Sequence, residues 1–222
     1  MTQLDSDTSR RPLASRQQAW AHHLSTLLSN VGIRPNQISF ASVVLSVLGL
    51  VCLSLSVGSS KGQLAGLYIA SAFACQMRLL CNLMDGMVAV EAGKQTADGA
   101  LWNEFPDRLS DIALLMGVGI AAGETTLAWA VVSLSILVAY VRELGKGIDR
   151  VADYSGPMAK PHRMALMTAA LVLSAIVVLF FGDENAWIQS TSLLSLSLWI
   201  CGFGCVVTVW QRISHLLQRL NP

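Results

Sequence analysis

The sequence predicts an all-α integral membrane protein: six transmembrane helices preceded by an N-terminal amphipathic surface helix. Three observations predict it. Of 222 residues, 53% are hydrophobic and only 13% are charged, where soluble domains carry about a quarter charged residues. Uncharged apolar runs long enough to cross roughly 30 Å of hydrocarbon recur along the chain. The basic residues gather in alternate connecting segments instead of spreading evenly.

The elements follow in order. Residues 11–30 place Leu13, Trp20, Leu24, Leu27 and Leu28 at near-helical spacing. That is the pattern of a helix lying on the membrane surface; a helix packed against the bundle would show the same spacing. The spans read as 38–57, 63–90, 104–123, 126–148, 160–181 and 187–213. The second runs on past Arg78 into polar sequence, so it projects beyond the hydrocarbon. Together they make a single membrane domain, 1–222, whose bundle covers 38–213. The polar stretch Thr2 to Arg16 has no short apolar run before small residues, so no cleavable leader is expected.

Six spans put both termini on one side, and the charges decide which. Fourteen of the fifteen Lys and Arg residues fall on one face, and only Lys61 lies on the other, with Glu124, Asp183 and Glu184. The positive-inside rule places the termini and residues 91–105 in the cytosol. A multi-pass protein of a bacterial-type inner (plasma) membrane is expected, surrounded by membrane lipids and with no nucleic-acid partner. Cys52, Cys75, Cys81, Cys201 and Cys205 all fall in spans and read as packing residues, not a disulfide framework. The tryptophans lie near interfaces or within spans and need no catalytic role.

The chemistry concentrates between the second and third spans. Six of the fourteen acids lie from Asp85 to Asp111. Carboxylates at a bilayer edge are expensive and mark function by default. Asn82 and Asp85 are three apart and share a helix face, and Gly86 and Ala89 continue that face with small side chains. Small residues admit another helix or a ligand close to the backbone. On the next helix Asn103, Asp107 and Asp111 recur every four residues, a polar stripe. Gly93 and Gly99 bracket the turn between them. A hairpin presenting oxygens in this way suits a hard cation, Mg²⁺ or Mn²⁺. A spare carboxylate can then serve as general base toward an alcohol.

Written with its gaps, the stretch is Asn82-x2-Asp85-Gly86-x2-Ala89-Val90-x8-Gly99-x3-Asn103-x3-Asp107. It resembles the signature of the CDP-alcohol phosphatidyltransferase family, D-x2-D-G-x2-A-R-x8-G-x3-D-x3-D. Every gap matches. Asp85, Gly86, Ala89, Gly99 and Asp107 match in identity, while Asn82, Val90 and Asn103 stand where the family has Asp, Arg and Asp. Thr96 and Arg108 also look like the family. So does Pro35-Asn36-Gln37-Ile38-Ser39, although Asn36 and Ser39 read equally well as helix caps. The segment Ala139-Tyr140-Val141-Arg142 is similar to one in family members that use phosphorylated acceptors.

The resemblance implies an enzyme of phospholipid synthesis. It would transfer a phosphatidyl group from CDP-diacylglycerol to a polar, possibly phosphorylated, alcohol and release CMP. Carried over by position, Asp85 is a metal ligand and Asp107 both a ligand and the general base. Asn82 and Asn103 occupy the other two ligand positions with neutral amide oxygens. Gly86, Ala89 and Gly99 make room for the nucleotide, with Asn36 and Ser39 beside it. A homodimer is implied as well.

The departures weaken the case for two fully bound metals. Glu91, Glu104 and Asp111 are candidates to restore lost ligands. Arg78 lies on the Asn82 face and is expected to help one metal engage the pyrophosphate; the alternative is that it snorkels to headgroups. Arg142, Lys160 and Arg163 are candidate acceptor-binding residues, and the topology rule alone would also put positive charge there. Two other readings stand beside phosphatidyl transfer. In one, a soluble CDP-alcohol donates its phospho-alcohol to a lipid hydroxyl, which a choice of donors would reveal. In the other, the chain is a non-catalytic relative that binds nucleotide-lipid, which the three substitutions motivate and the surviving Asp85 and Asp107 oppose.

Overall fold

The computed structural model describes residues 18–91, 98–180 and 184–221, with no side-chain account of Glu91, Ala100 or 184–188. Leu13, Gly93, Lys94 and Thr96 therefore lie outside the described residues, as does most of 11–18 in the expected surface helix.

Seven helices follow in order: α1 Ala19–Asn30, α2 Pro35–Ser56, α3 Lys61–Glu91, α4 Gly99–Ala122, α5 Thr125–Asp149, α6 Lys160–Phe180 and α7 Glu184–Leu220. Five of them, α2, α3, α5, α6 and α7, contain stretches long and apolar enough to cross a membrane. Helix α4 is not among the five; Glu104, Asp107, Arg108 and Asp111 charge its first half. Helix α1 rests on α3, with Ala21 and Ser25 buried and Trp20 and Leu27 exposed.

The helices run alternately up and down. Helix α2 packs broadly on both α3 and α4, which themselves meet over a shorter stretch. Gly117 makes the α2–α4 crossing close: a Cβ there would lie 3.1 Å from the Leu50 Cα and 3.0 Å from a Leu53 methyl. Helix α6 lies on α3, and α7 covers α4, α5 and α6. The core between them is apolar and includes Leu53, Tyr68, Leu115, Met167, Leu171 and Leu198.

Four buried serines inside these helices do not ask for water. Ser42, Ser46, Ser135 and Ser197 each donate to a carbonyl three or four residues back in their own helix. Gly123 ends α4 in the left-handed conformation, φ 74°, which turns the chain directly into α5. Pro106 sits inside α4 and removes one backbone donor within the first two turns. The ends of α3, α5 and α7 and the beginnings of α2, α4 and α6 share one end of the bundle, where the polar residues gather.

Candidate active site

Two arginines from different helices clamp one carboxylate. Arg78 on α3 donates from Nη2 to Asp111 Oδ1 at 2.6 Å. Arg163 on α6 donates from Nη2 to the other oxygen, Oδ2, also at 2.6 Å. All three side chains are essentially unexposed. Arg78 Nη2 also reaches the Asp107 carbonyl at 3.2 Å, and Arg163 Nη1 the Met158 carbonyl at 2.9 Å. Arg78 is thus turned inward, not outward to a headgroup layer.

Asp107 lies one turn before Asp111 and is 5% exposed. The Lys160 ammonium, at the start of α6, sits on its Oδ2. Arg108 is 3.7 Å from the same oxygen, and Arg78 is 3.8 Å from Oδ1. Asp85 is 4% exposed and takes a hydrogen bond on Oδ2 from Ser39 Oγ at 2.8 Å. Ser39 is therefore a support for Asp85 and not a helix cap; Arg34 precedes the first turn of α2, its N–H donating to Gln37 Oε1.

The remaining hydrogen-bonding capacity is concentrated here. Among the described residues, the buried side-chain nitrogens and oxygens without a hydrogen-bond partner all belong to this cluster. They are Arg78 Nε and Nη1, Asn82 Nδ2, Asp85 Oδ1, Asp107 Oδ1, Arg108 Nε, Ser110 Oγ and Arg163 Nε. Buried polar atoms are otherwise paired almost without exception. A patch that mixes unpaired donors and unpaired carboxylate oxygens is equipped to receive both an anionic group and a cation.

A second charged group borders the first. Glu104 is held by Arg142 of α5 and lies 3.6 Å from Arg108. Arg142 also bonds Glu143 at 2.9 Å and sits 5.7 Å from the centroid of the Tyr154 ring. Tyr154 belongs to the strap 150–159 between α5 and α6, and α7 pins that strap. Arg212 donates to the Ser155 carbonyl at 3.0 Å and to the Val138 carbonyl at 2.8 Å. The Thr208 hydroxyl accepts the Met158 N–H at 2.9 Å. Gly156, at φ 109°, presses on Thr208 so closely that a Cβ would lie 2.5 Å from its methyl. His215 Nδ1 is 3.0 Å from Asp153 Oδ2. Burial raises the Asp153 carboxyl, but hydrogen bonds from Ser155 and the neighbouring His215 outweigh this and hold it below the usual range.

Of the residues expected from sequence, the fold brings Ser39, Arg78, Asn82, Asp85, Asp107, Asp111, Lys160 and Arg163 to one place. Glu104 and Arg142 adjoin it as a pair. Asn103 is exposed. Asn36, Gly86, Ala89 and Gly99 are partly buried along the same end of the bundle. Thr208, Arg212 and His215 were missed. Their spacing of four and three, a polar stripe ending an apolar helix, is the signal that could have found them.

Comparison with known proteins decides the family. The family profile described as CDP-alcohol phosphatidyltransferase matches residues 33–210. The chain belongs to the CDP-alcohol phosphatidyltransferase family.

This CDP-alcohol phosphatidyltransferase is 30% identical over 184 residues to the Inner membrane protein YnbA of Escherichia coli, covering 82% of each chain. It is 27% identical over 192 residues to an archaetidylinositol phosphate synthase of Aeropyrum pernix, covering 85% of this chain and 92% of the relative. A phosphatidylinositol phosphate synthase of Streptomyces avermitilis is 27% identical over 140 residues, 60% of this chain and 54% of that one. The fold matches that of the Mycobacterium tuberculosis phosphatidylinositol phosphate synthase. With CDP-DAG bound, that structure gives a TM-score of 0.69 at 19% identity, covering 88% of this chain and 92% of that one. With manganese and citrate, it gives 0.70 at 19% identity, covering 89% and 88%. With five helices long and apolar enough to cross a membrane, membership of this family describes a membrane transferase of phospholipid synthesis.

The donor set can be tested against a divalent metal on its own chemistry. Asp85 Oδ1 and Asp107 Oδ1 are buried oxygens without hydrogen-bond partners, and the Asn82 amide lies a turn from Asp85. Hard oxygen donors of this kind fit Mg²⁺ or Mn²⁺. Among the described residues, however, no three His, Cys, Asp or Glu gather into a metal-holding group. Asp111 and Glu104, expected as substitutes for the missing acids, have their carboxylates engaged by arginines.

Proposed function

We propose that this protein transfers the phosphatidyl group of CDP-diacylglycerol to a polar, phosphorylated alcohol, with Asp107 as general base and a divalent cation at Asp85. The observation that carries the reading is the buried pair of signature acids, Asp85 and Asp107, each keeping one oxygen without a hydrogen-bond partner in a cluster that also holds unpaired arginine nitrogens. The activities for which two relatives are named, synthesis of phosphatidylinositol phosphate and of archaetidylinositol phosphate, support a phosphorylated acceptor.

In this mechanism the acceptor hydroxyl attacks the phosphorus that carries the diacylglycerol. A new P–O bond forms, the pyrophosphate P–O bond breaks, and CMP leaves with the bond's electrons. Asp107 Oδ1 takes the hydroxyl proton. A divalent cation, Mg²⁺ or Mn²⁺, would supply positive charge toward the pyrophosphate and its leaving group. Asp85 would hold it, with the Asn82 amide one helical turn away; Asn103, exposed in this structure, does not adjoin it. Arg78 Nε and Nη1 offer donors to the phosphates. Gly86, Ala89 and Gly99 leave room for the nucleotide, beside Asn36 and Ser39. Arg142 and Lys160, each partly exposed at the rim, receive the acceptor's phosphate. Arg163 serves by fixing Asp111 through Nη2 and the strap through Nη1.

The same reading sets the protein in its membrane as one domain. Helix α4 is the sixth span, shielded by α2, α5 and α7. The fourteen basic residues put the site end and both termini in the cytosol. The segment 11–30 lies at the surface, and the protein works as a homodimer.

The test is CMP release by purified protein in detergent with CDP-diacylglycerol, Mg²⁺ or Mn²⁺, and a panel of alcohols and their phosphates. CDP-choline and CDP-ethanolamine are run in parallel. Acceptor-dependent release from CDP-diacylglycerol alone is expected. Release from the soluble donors instead would reverse the direction of transfer. Silence with every pair would remove the activity.

A further inference from the structure

The charges of the site are unevenly matched. Three acids are buried in it, Asp85, Asp107 and Asp111. Asp111 has Arg78 on one oxygen and Arg163 on the other. Asp107 has Lys160 in direct contact and Arg108 and Arg78 within 3.8 Å. Asp85 differs. Among the described residues no Lys or Arg stands at ion-pair distance from it, and its one side-chain hydrogen bond comes from the neutral Ser39 hydroxyl. Its Oδ1 is buried and unpaired. A carboxylate kept from water without a cation or full hydrogen bonding is costly. The structure therefore asks for positive charge at Asp85 and already supplies it at Asp107.

The substitutions fall in line with this. Asn82 and Asn103 remove two carboxylates from the four signature positions. An amide oxygen still coordinates a hard cation but adds no charge to hold a second one. A divalent ion on the Asp107 side would have to share that carboxylate with an ammonium and two guanidinium groups. Like charges at such separations repel strongly in a water-poor site.

We propose that this site takes a single divalent cation, at Asp85, and that the Lys160 ammonium on Asp107 stands in for the positive charge of a second ion. The inference rests on the phosphatidyl-transfer reading above for its role in the reaction, but the ion count is measurable by itself. It also places Lys160 within the reacting centre as well as at the acceptor rim.

The test is a Mn²⁺ titration of the full-length protein in detergent micelles, with free aquo-Mn²⁺ followed by electron paramagnetic resonance. One bound ion per chain is expected for the native protein, none for Asp85→Asn, and still one for Asp107→Asn. Two ions per chain, no bound ion, or loss of the ion in Asp107→Asn would overturn the inference. The native count stands alone if Asp107→Asn does not fold. CMP release from the same native sample separates the two ideas. One bound ion with no release from any donor leaves the count intact and removes the transfer, whereas two ions with release do the reverse.

Discussion

Arg78 and Asp111 are 33 residues apart in sequence, yet they meet at 2.6 Å with neither side chain touching solvent. The pair joins α3 to α4 where those helices otherwise have little contact. Breaking one member of a buried pair strands the other. Arg78→Ala is expected to destabilise the protein by about 3–5 kcal/mol, read as a lower midpoint of thermal unfolding in detergent. In an Asp111→Asn background the same change should cost much less, because the partner charge is already gone. Equal costs in both backgrounds would show that the pair is not energetically coupled.

Asp107 carries the proton in the proposed reaction. Asp107→Asn is expected to slow CMP release roughly 10²–10⁴-fold, the usual contribution of a positioned base. The Mn²⁺ count should not change. A variant that retains near-native turnover would assign the proton to another group.

The strap is held by fit as well as by hydrogen bonds. Gly156→Ala puts a Cβ 2.5 Å from the Thr208 methyl at a φ of 109° that side chains avoid. The local cost is of order 1–3 kcal/mol. Because the strap leads directly into Lys160, the expected kinetic signature is a raised KM for the alcohol with little change for the lipid donor. Arg212→Ala, which removes the bonds to Ser155 and Val138, should act in the same direction. An effect confined to the donor would detach the strap from acceptor binding.

Asp153 gives the strap a pH dependence. Its carboxyl is held below the usual range in the fold, so the stabilisation is fully present above the unfolded value near 3.8. It is lost as the pH falls through the lower, folded value. Hydrogen exchange of residues 150–159 should be flat from neutral pH to about pH 5 after correction for intrinsic rates, and faster below pH 4. In Asp153→Asn it should be fast throughout. A strap equally protected at pH 3 and pH 7 would show that the Asp153–His215 contact does not anchor it.

Much of this architecture is legible in hydropathy. The apolar runs 63–90, 126–148 and 160–181 become α3, α5 and α6 with ends moved by two residues or fewer. The errors lie where polarity and structure part company. Helix α4 begins at Gly99 and not at 104, because a polar turn leading to Pro106 reads as loop while the backbone is already helical. Helix α7 runs to Leu220 and not to 213, because its last turns are polar: His215 meets Asp153 of the strap and Arg219 bonds Asp149 at the end of α5. The acids of the site were readable from their spacing. Their partners were not: nothing local pairs Lys160 with Asp107 or Arg163 with Asp111, since those contacts are set by how α6 lies on α3 and α4. The choice between a snorkelling and an inward Arg78 likewise depends on packing, not on its own position in the sequence.

The ion pairs also set which residues of the signature can drift. Asn82, Val90 and Asn103, the three positions that differ from the family pattern, take no part in the salt bridges described above. An Asp exchanged there for Asn strands no neighbouring cation of that network. Asp107 and Asp111 have no such freedom, because losing Asp111 would leave buried Arg78 and Arg163, and losing Asp107 would leave Lys160, without a counter-ion. Mutational tolerance in this centre therefore follows the electrostatic wiring, not nearness to the chemistry: the fold can lose a ligand before it can lose a counter-ion.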